Sequence, residues 1–353
     1  MKEKEGCATL KIKAVGLLSG GLDSTLSAKI LLMQGIEIYA LNFYTGFCIA
    51  EFRRRVGGKK TAHRPLINEA LRVTGELRIP VERIDISLEY MKMVTQPKYG
   101  YGANINPCID CRIYMLRYAR EYMLKIGAHF VFTGEVLAER PMSQHRHALE
   151  IIEKESSLEG RLLRPLSAKL LPPTIPEQNG WVDREKLYAI QGRGRNSQIA
   201  LAEELGIQRY LTPSGGCCFL TDKNYARKFR DLMTYRENKI LTPKDVILLG
   251  IGRHFRLSPQ VKIIVGRNEA ENKHLSQYGT YQWIFEVMDH PGPIALVEGE
   301  PNDTEKDIIA GITSRYSDVH YFPLVKVRAR KNKLENILTV PSLNDEKINS
   351  YRI

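Results

Sequence analysis

The sequence predicts an α/β protein: a parallel-sheet domain, then a small α/β linker subdomain, then a C-terminal α+β module. Three observations carry that prediction. Over residues 11–170, short apolar runs alternate with helical patterns, as strands joined by right-handed crossovers do. A proline-rich turn, Leu171-Pro-Pro-Thr-Ile-Pro176, then breaks the alternation. From Pro243 onward, closely spaced strands replace it. The domains are therefore placed at residues 1–170, 171–242 and 243–353.

The first strand is the apolar run Ala14–Leu18, followed by the loop Ser19-Gly20-Gly21. A helix begins at Asp23, with Leu26, Ile30 and Leu31 on one face, and ends at Gly35. Ile36–Phe43, Val81–Ile86 and Phe130–Thr133 are the further strands, with helices over Glu69–Gly75 and Arg112–Ile126. After the proline turn come Trp181–Ile190, the basic turn Gly192-Arg-Gly-Arg195 and a helix over Ser197–Leu205. A tight loop, Pro213–Asp222, leads into a helix over Tyr225–Tyr235. In the last module Val261–Val265, Trp283–Val287, Ile294–Val297 and Val325–Val327 read as strands and Glu305–Arg315 as a helix.

Apolar residues make up 43% of the 353 and charged ones 26%, the proportions of a globular protein. The start is charged and no apolar run reaches membrane-spanning length, so a cytoplasmic location with no membrane partner is expected. Six cysteines do not make a disulfide scaffold in a chain this long. The formal charge of +12 is unevenly spread. Residues 1–170 hold 26 Lys and Arg against 18 Asp and Glu, whereas residues 243–353 hold 15 against 14. The basic excess thus sits with the glycine loop, as a polyanionic substrate requires.

That loop, S-G-G-L-D-S over residues 19–24, is the strongest local signal. Strand, glycine loop and helix start build an anion site, because the first helical N–H groups point at the ligand. Ser19 and Ser24 add hydroxyl donors, and Asp23 could hold a metal or cap the helix. The spacing and lysine of a Walker loop are absent. Ser19, Gly20, Gly21, Asp23 and Ser24, with Asn42 and Gly134, form the predicted nucleotide-binding set.

The second signal is Asn106-Pro-Cys108-Ile-Asp-Cys111, on a turn entering a helix, with Cys217-Cys218 a hundred residues on. Cys108, Cys111 and either Cys217 or Cys218 give three thiolates, which suits a [4Fe–4S] cluster with one open iron. A closed zinc site wants four ligands, and His145 and His147 stand in a polar loop. A persulfide route, with one cysteine carrying sulfur and another releasing it as a disulfide, stays open beside the cluster. Cys7 and Cys48 read as small apolar residues beside strands.

S-G-G-L-D-S, N-P-C-I-D-C and the late G-G-C-C-F together resemble the PP-loop ATP pyrophosphatases of the tRNA thiouridylase type, over roughly residues 11–235. The resemblance implies an adenine nucleotide alpha hydrolase-like fold, ATP and Mg²⁺. It also implies an enzyme that adenylates a uridine carbonyl of tRNA and replaces its oxygen with sulfur from sulfide or a persulfide carrier. Asp23, Cys108, Cys111 and Cys218 are then the catalytic set, Cys218 because it matches the G-x-C-F cysteine. The chain departs from the family in doubling that cysteine and in showing Thr133-Gly-Glu135 where T-G-H is usual, which leaves the role of Glu135 open.

The last third resembles the NFACT RNA-binding domain, through Val265-Gly-Arg-Asn-Glu-Ala-Glu-Asn272 and Asp289-His-Pro-Gly-Pro-Ile294. Arg193 and Arg195 in the basic turn, and Arg253, His254, Arg256, Arg267 and Lys273 in the module, are the expected phosphate contacts. Lys326, Arg328, Arg330, Lys331 and Lys333 form a further basic run. Tyr278 and Tyr281 offer stacking faces, while Trp283 is expected in the core. Three alternatives use the same residues differently: RNA desulfuration, persulfide-based thiolation without a cluster, and a non-catalytic RNA-binding protein. The oligomeric state is not legible in the sequence.

Overall fold

The computed structural model describes residues 11–57, 68–210 and 218–353. The chain divides into two compact units: the described residues of 1–45 and 67–215, and those of 46–66 and 216–353. The fold class is α/β, with a parallel sheet in the first unit and an antiparallel sheet in the second.

The first sheet contains β1 (Lys13–Leu17), β2 (Glu37–Tyr44), β3 (Val81–Asp85), β4 (Phe130–Thr133) and β5 (Leu162–Leu163), in the order β3-β2-β1-β4-β5. Every pairing is parallel, with Ala14 opposite both Ile38 and Phe130. Helices cover both faces, so the central strands are apolar throughout: all four residues of β4 are buried. Strand order reverses between β1 and β4, and ligands of such sheets bind at the carboxyl ends of the strands flanking that point. The loop after β1 carries Ser19–Ser24 and the loop after β4 carries Gly134 and Glu135.

Residues 171–210 add their apolar side chains to this core. Val182, Leu187, Leu201 and Ala202 pack into one cluster with Ala14, Leu18, Leu22 and Phe132. The proline turn predicts a linker subdomain beginning at 171. The turn is present, but residues 181–210 pack into the parallel sheet's core, while the described residues from 218 onward belong to the second unit.

The second unit is a six-stranded sheet of β6 (Arg253–Arg256), β7 (Lys262–Val265), β8 (Trp283–Val287), β9 (Ile294–Glu298), β10 (Val325–Lys331) and β11 (Leu334–Val340). Their order is β11-β10-β8-β9-β7-β6. Alternate residues serve two cores, as the period of a strand requires. Ile263, Val265, Phe285 and Val297 meet Ile309, Ala310 and Ile312 of the helix Asp303–Arg315. Ile264, Ile284 and Leu296 face the other way, onto Leu248, Leu275 and Val56. Val56 belongs to the helix Ile49–Val56, so this early segment is part of the second unit.

Candidate functional site

The loop Ser19–Ser24 is built by two glycines whose backbones must approach other backbone. Gly20 has φ +78°, and a Cβ there would lie 2.4 Å from the carbonyl carbon of Glu69. A Cβ on Gly134 would lie 2.4 Å from the Ser24 nitrogen. The helix Leu22–Met33 starts after Gly21, an extended N-cap with no side-chain cap. Its first amides are left for an anion. Ser24 Oγ donates to the Gly21 carbonyl at 3.0 Å and stands 3.4 Å from Ser19 Oγ, so both hydroxyls line the loop. Asn42 Nδ2 donates to the Leu18 carbonyl at 2.9 Å. That bond fixes the end of the first strand, so Asn42 holds the loop from behind.

Asp23 is held from an unexpected quarter. Arg195 Nη1 lies 3.3 Å from its Oδ2, and the same guanidinium pairs with Glu139. Asp23 Oδ1 and both polar atoms of the fully buried Gln198 make no well-formed hydrogen bond, although Gln198 lies near enough to Asp23 to help stabilise its carboxylate. Burial pushes the Asp23 carboxyl up from its usual range, with Arg195 and Arg140 opposing. An uncapped helix start and an orphaned carboxylate oxygen fit a nucleotide phosphate and the Mg²⁺ that accompanies it.

The helix Cys108–Lys125 begins at Cys108 itself, so Cys108 and Cys111 occupy its first turn. Both residues are partly exposed. Burial raises the Cys108 and Cys111 thiols; Arg112 and Arg140 oppose it in both. Glu135, 2% exposed, lies between Arg112, whose Nε is 3.3 Å from Oε1, and Arg164, whose Nε is 3.2 Å from Oε2. Two consecutive residues therefore join the halves of the site. Gly134 packs on the start of the PP-loop helix, and Glu135 ties down the residue following Cys111.

The strap from Glu139 to Met142 makes the same connection on the other side. Glu139 reaches Asp23 through Arg195, while Met142 and Cys108 Sγ both crowd Gly102. Arg140 lies in that strap, closed into a turn by two bonds between its backbone and Gln144. Its guanidinium is exposed and has no ion pair among the described residues. Sequence reasoning misses Arg112 and Glu139 as parts of the site.

Cys217 lies outside the described residues, as does Cys7. Cys218 belongs to the second unit. Among the described residues no three His, Cys, Asp or Glu side chains come together as a metal site. His145 caps the helix Arg146–Glu155, its Nδ1 accepting from Ala148 N at 3.2 Å, and His147 is exposed.

The expected RNA contacts divide sharply. Arg195 is committed to Asp23 and Glu139, so it serves the PP-loop, whereas Arg193 in the same turn is exposed. Arg256 is paired with Asp231 at 2.6 Å and lies over the Tyr235 ring. Arg267 is paired with Glu271, and Arg253 lies 4.6 Å from the Tyr316 ring centroid. His254 is buried, its Nε2 2.8 Å from the Ile251 carbonyl oxygen, and so cannot meet a phosphate. Lys273 and Lys326 are exposed, and Arg328 and Arg330 share Glu286. Tyr281 is 80% exposed, Tyr278 lies under Lys244, and Trp283 is in the core at 6%.

Residues 12–157 match the family model of the tRNA methyl transferase HUP domain, and residues 252–352 that of the NFACT protein RNA binding domain. The chain resembles both families, one in each part. Among curated proteins it is 25% identical over 250 residues to a tRNA-specific 2-thiouridylase MnmA of Caldicellulosiruptor saccharolyticus, a match covering 68% of this chain and 65% of that protein. It is 31% identical over 257 residues to the MnmA of Syntrophomonas wolfei, covering 69% and 64%. The chain thus spans just under two thirds of the length of these relatives. A solved 4-thiouridine synthetase–RNA complex with bound ATP is 19% identical, covering 55% of this chain and 51% of that one, with a TM-score of 0.33. Among the described residues no helix is long and apolar enough to cross a membrane.

Proposed function

We propose that the protein is an ATP-dependent tRNA uridine sulfurtransferase acting in the cytoplasm. The observation that carries this reading is the pair Gly134 and Glu135, which brings the uncapped PP-loop helix and the Cys108–Cys111 turn to neighbouring positions. ATP and Mg²⁺ fit the first half: the first-turn amides and Ser19 and Ser24 would hold the pyrophosphate, and Asp23 the metal. The metal neutralises charge building on the leaving phosphates. A uridine oxygen attacks the α-phosphorus, that O–P bond forms, and the bond to the β-phosphate oxygen breaks with loss of pyrophosphate. Sulfur then attacks the activated carbon and AMP leaves with the original oxygen.

The second unit supports the RNA part of the reading through its likeness to an RNA binding domain and its exposed Lys273, Lys326 and Tyr281. A base must be unstacked to reach such a site. A [4Fe–4S] cluster is the finer reading of the cysteines and needs a third thiolate beside Cys108 and Cys111. Cys108 and Cys111 are the two that the described residues of the first unit supply.

The deciding experiment incubates the full chain with ATP, Mg²⁺, unmodified tRNA and sulfide or a persulfide donor, and digests the RNA for mass spectrometry. A thiouridine that depends on ATP, with pyrophosphate released in step, is the expected result. Loss of sulfur from thiolated tRNA without ATP would establish desulfuration instead. Iron analysis of anaerobic protein tests the cluster, which predicts close to four irons per chain.

A further inference from the structure

Two loops at one end of the antiparallel sheet are tied together within the second unit. The first, residues 288–293, follows β8, and the second, residues 316–324, precedes β10. The Asp318 amide donates to the Pro291 carbonyl at 3.2 Å, and the Met288 amide to the Lys326 carbonyl at 3.0 Å. A Cβ on Gly292 would lie 3.1 Å from the Ser317 side chain, so the loops also pack closely. Within the second loop, Ser317 Oγ donates to the Ser314 carbonyl at 2.7 Å, and the Phe322 amide to the Val319 carbonyl at 3.0 Å. Ser317 and Val319 are buried, which anchors the loop from beneath, while residues 320–324 are all exposed.

Those loops carry a row of four rings, each edge-on to the next. His290 meets Phe322 at 5.7 Å between centroids, Phe322 meets Tyr321 at 4.9 Å, and Tyr321 meets His320 at 5.8 Å. Mutual contact holds the rings in place but does not cover them: Tyr321 is 71% exposed and Phe322 39%. Two exposed lysines flank the row, and neither has an ion pair among the described residues. Lys326 sits opposite Met288, and Lys273 follows Asn272, whose side chain donates to the Gly292 carbonyl and accepts from the Ile294 amide. Asp289 and Asp318 are exposed as well, so the patch is close to neutral. Open ring faces with isolated cations suit a flat base and its adjoining phosphate better than a run of phosphates.

We propose that this row is a stacking ledge for an unpaired base of RNA, with Tyr321 as its open face and Lys273 and Lys326 beside the neighbouring phosphates. RNA as the partner rests on the reading above, whereas the ledge rests on the geometry of the two loops. Bases within a duplex already stack on one another, so the ledge takes bases from loops, bulges or single strands. Every base has a flat face, so binding here is tolerant of sequence. The rings carry the affinity, because the two lysines are offset by the two aspartates. Tyr281, although 80% exposed, stands at the opposite end of β8 and takes no part.

The test uses the full chain and an RNA hairpin with 2-aminopurine in its loop, a base whose fluorescence is quenched on stacking. The hairpin should bind with quenching, and a fully paired duplex of the same length should bind more weakly. Tyr321→Ala should weaken hairpin binding about tenfold and abolish the quenching. It should leave the slope of log K against log salt unchanged, because the ring carries no charge. Tyr321→Phe should keep both affinity and quenching, Tyr321→Leu should lose both, and Tyr281→Ala should change neither. Unaltered binding and quenching in Tyr321→Ala would overturn the proposal. Full binding by Tyr321→Leu would also overturn it, since an aliphatic side chain offers no ring to stack on. A dimer in sedimentation that Tyr321→Ala dissociates would assign the rings to a second copy of the chain instead. Failure of the intact protein to make thiouridine, with hairpin binding still dependent on Tyr321, would count against the thiolation reading and leave the ledge standing.

Discussion

Arg195 Nη1 stands 3.3 Å from Asp23 Oδ2, across 172 positions of sequence. The arginine comes from the basic turn that the sequence assigns to RNA, and the aspartate from the PP-loop. Because Arg195 also pairs with Glu139, its charge is spent within the site. Arg195→Ala should therefore lower ATP-dependent pyrophosphate release about tenfold, the cost of roughly one misplaced charged hydrogen bond. It should leave the salt dependence of tRNA binding unchanged. Arg193→Ala should do the reverse, flattening the slope of log K against log salt by ~0.7 for one lost single-strand phosphate contact. Filter binding and pyrophosphate assays on both variants check this pair of outcomes.

The motifs were legible because each is local. S-G-G-L-D-S and the strands around it depend on neighbours in sequence, and the structure places them within a residue of where their patterns put them, whereas the helix expected from Arg112 starts four residues earlier and takes in both cysteines of the C-x-x-C. What escaped sequence reading is what the fold brings from afar. Nothing in the basic turn says that Arg195 faces Asp23, and nothing beside Cys48 says that Cys218 stands opposite. His254 looked like a phosphate contact because it sits between two cationic residues, but strand alternation turns it inward. Strand β6 was missed because Arg253, His254 and Arg256 leave it mostly polar, and β11 because its apolar residues Leu334, Ile337, Leu338 and Val340 follow no strict alternation. The helix Ile49–Val56 was missed although Ile49, Phe52 and Val56 stand at helical spacing, because three consecutive arginines break the apolar run.

Among the described residues, Arg140 is the guanidinium near both halves of the site that has no ion pair: Arg112 is taken by Glu135 and Arg195 by Asp23 and Glu139. If the proposed reaction runs there, its place in the strap between Asp23 and Cys108 suits it to the transferred phosphoryl group. Arg140→Ala should weaken AMP binding about tenfold and pyrophosphate binding little, by calorimetry with each ligand alone. Equal losses for both ligands would remove Arg140 from this role.

A chain ending at Thr242 is the natural cut from sequence, and the fold argues against it. Phe52 and Val56 would lose Leu248, Ile251, Leu275, Ile284 and Leu296, the residues that bury them. An exposed apolar face of that kind promotes association. The truncated protein should bind a hydrophobic dye and elute as aggregate on size exclusion, where the full chain elutes cleanly. RNA binding by the second unit is better tested by Lys273→Ala and Lys326→Ala in the intact chain.

Lys228 offers a test of the second unit that is independent of any activity. Its Nζ is buried and donates to the carbonyls of Leu249 at 3.3 Å and Gly252 at 3.0 Å. Burial lowers its pKa to about 8, with Arg267 and Lys262 adding to the effect and Glu271 and Asp222 opposing it. In the unfolded chain the amine titrates at its ordinary value of 10.5. Between those values the unfolded state binds more protons than the folded one, so stability rises with pH across that window. The gain is fully present above about 10.5 and is lost as pH falls through about 8. It amounts to at most ~1.4 kcal/mol per pH unit. A neutral amine keeps two N–H donors, so both carbonyl bonds survive deprotonation and the effect belongs to the charge. Lys228→Met should flatten the stability profile between about pH 8 and pH 10.5 while other alkaline titrations remain. Urea unfolding followed by Trp283 fluorescence, with Trp181→Phe removing the other tryptophan, reads the second unit directly. Identical pH slopes with and without the Lys228→Met substitution would mean that the buried amine is not the group responsible.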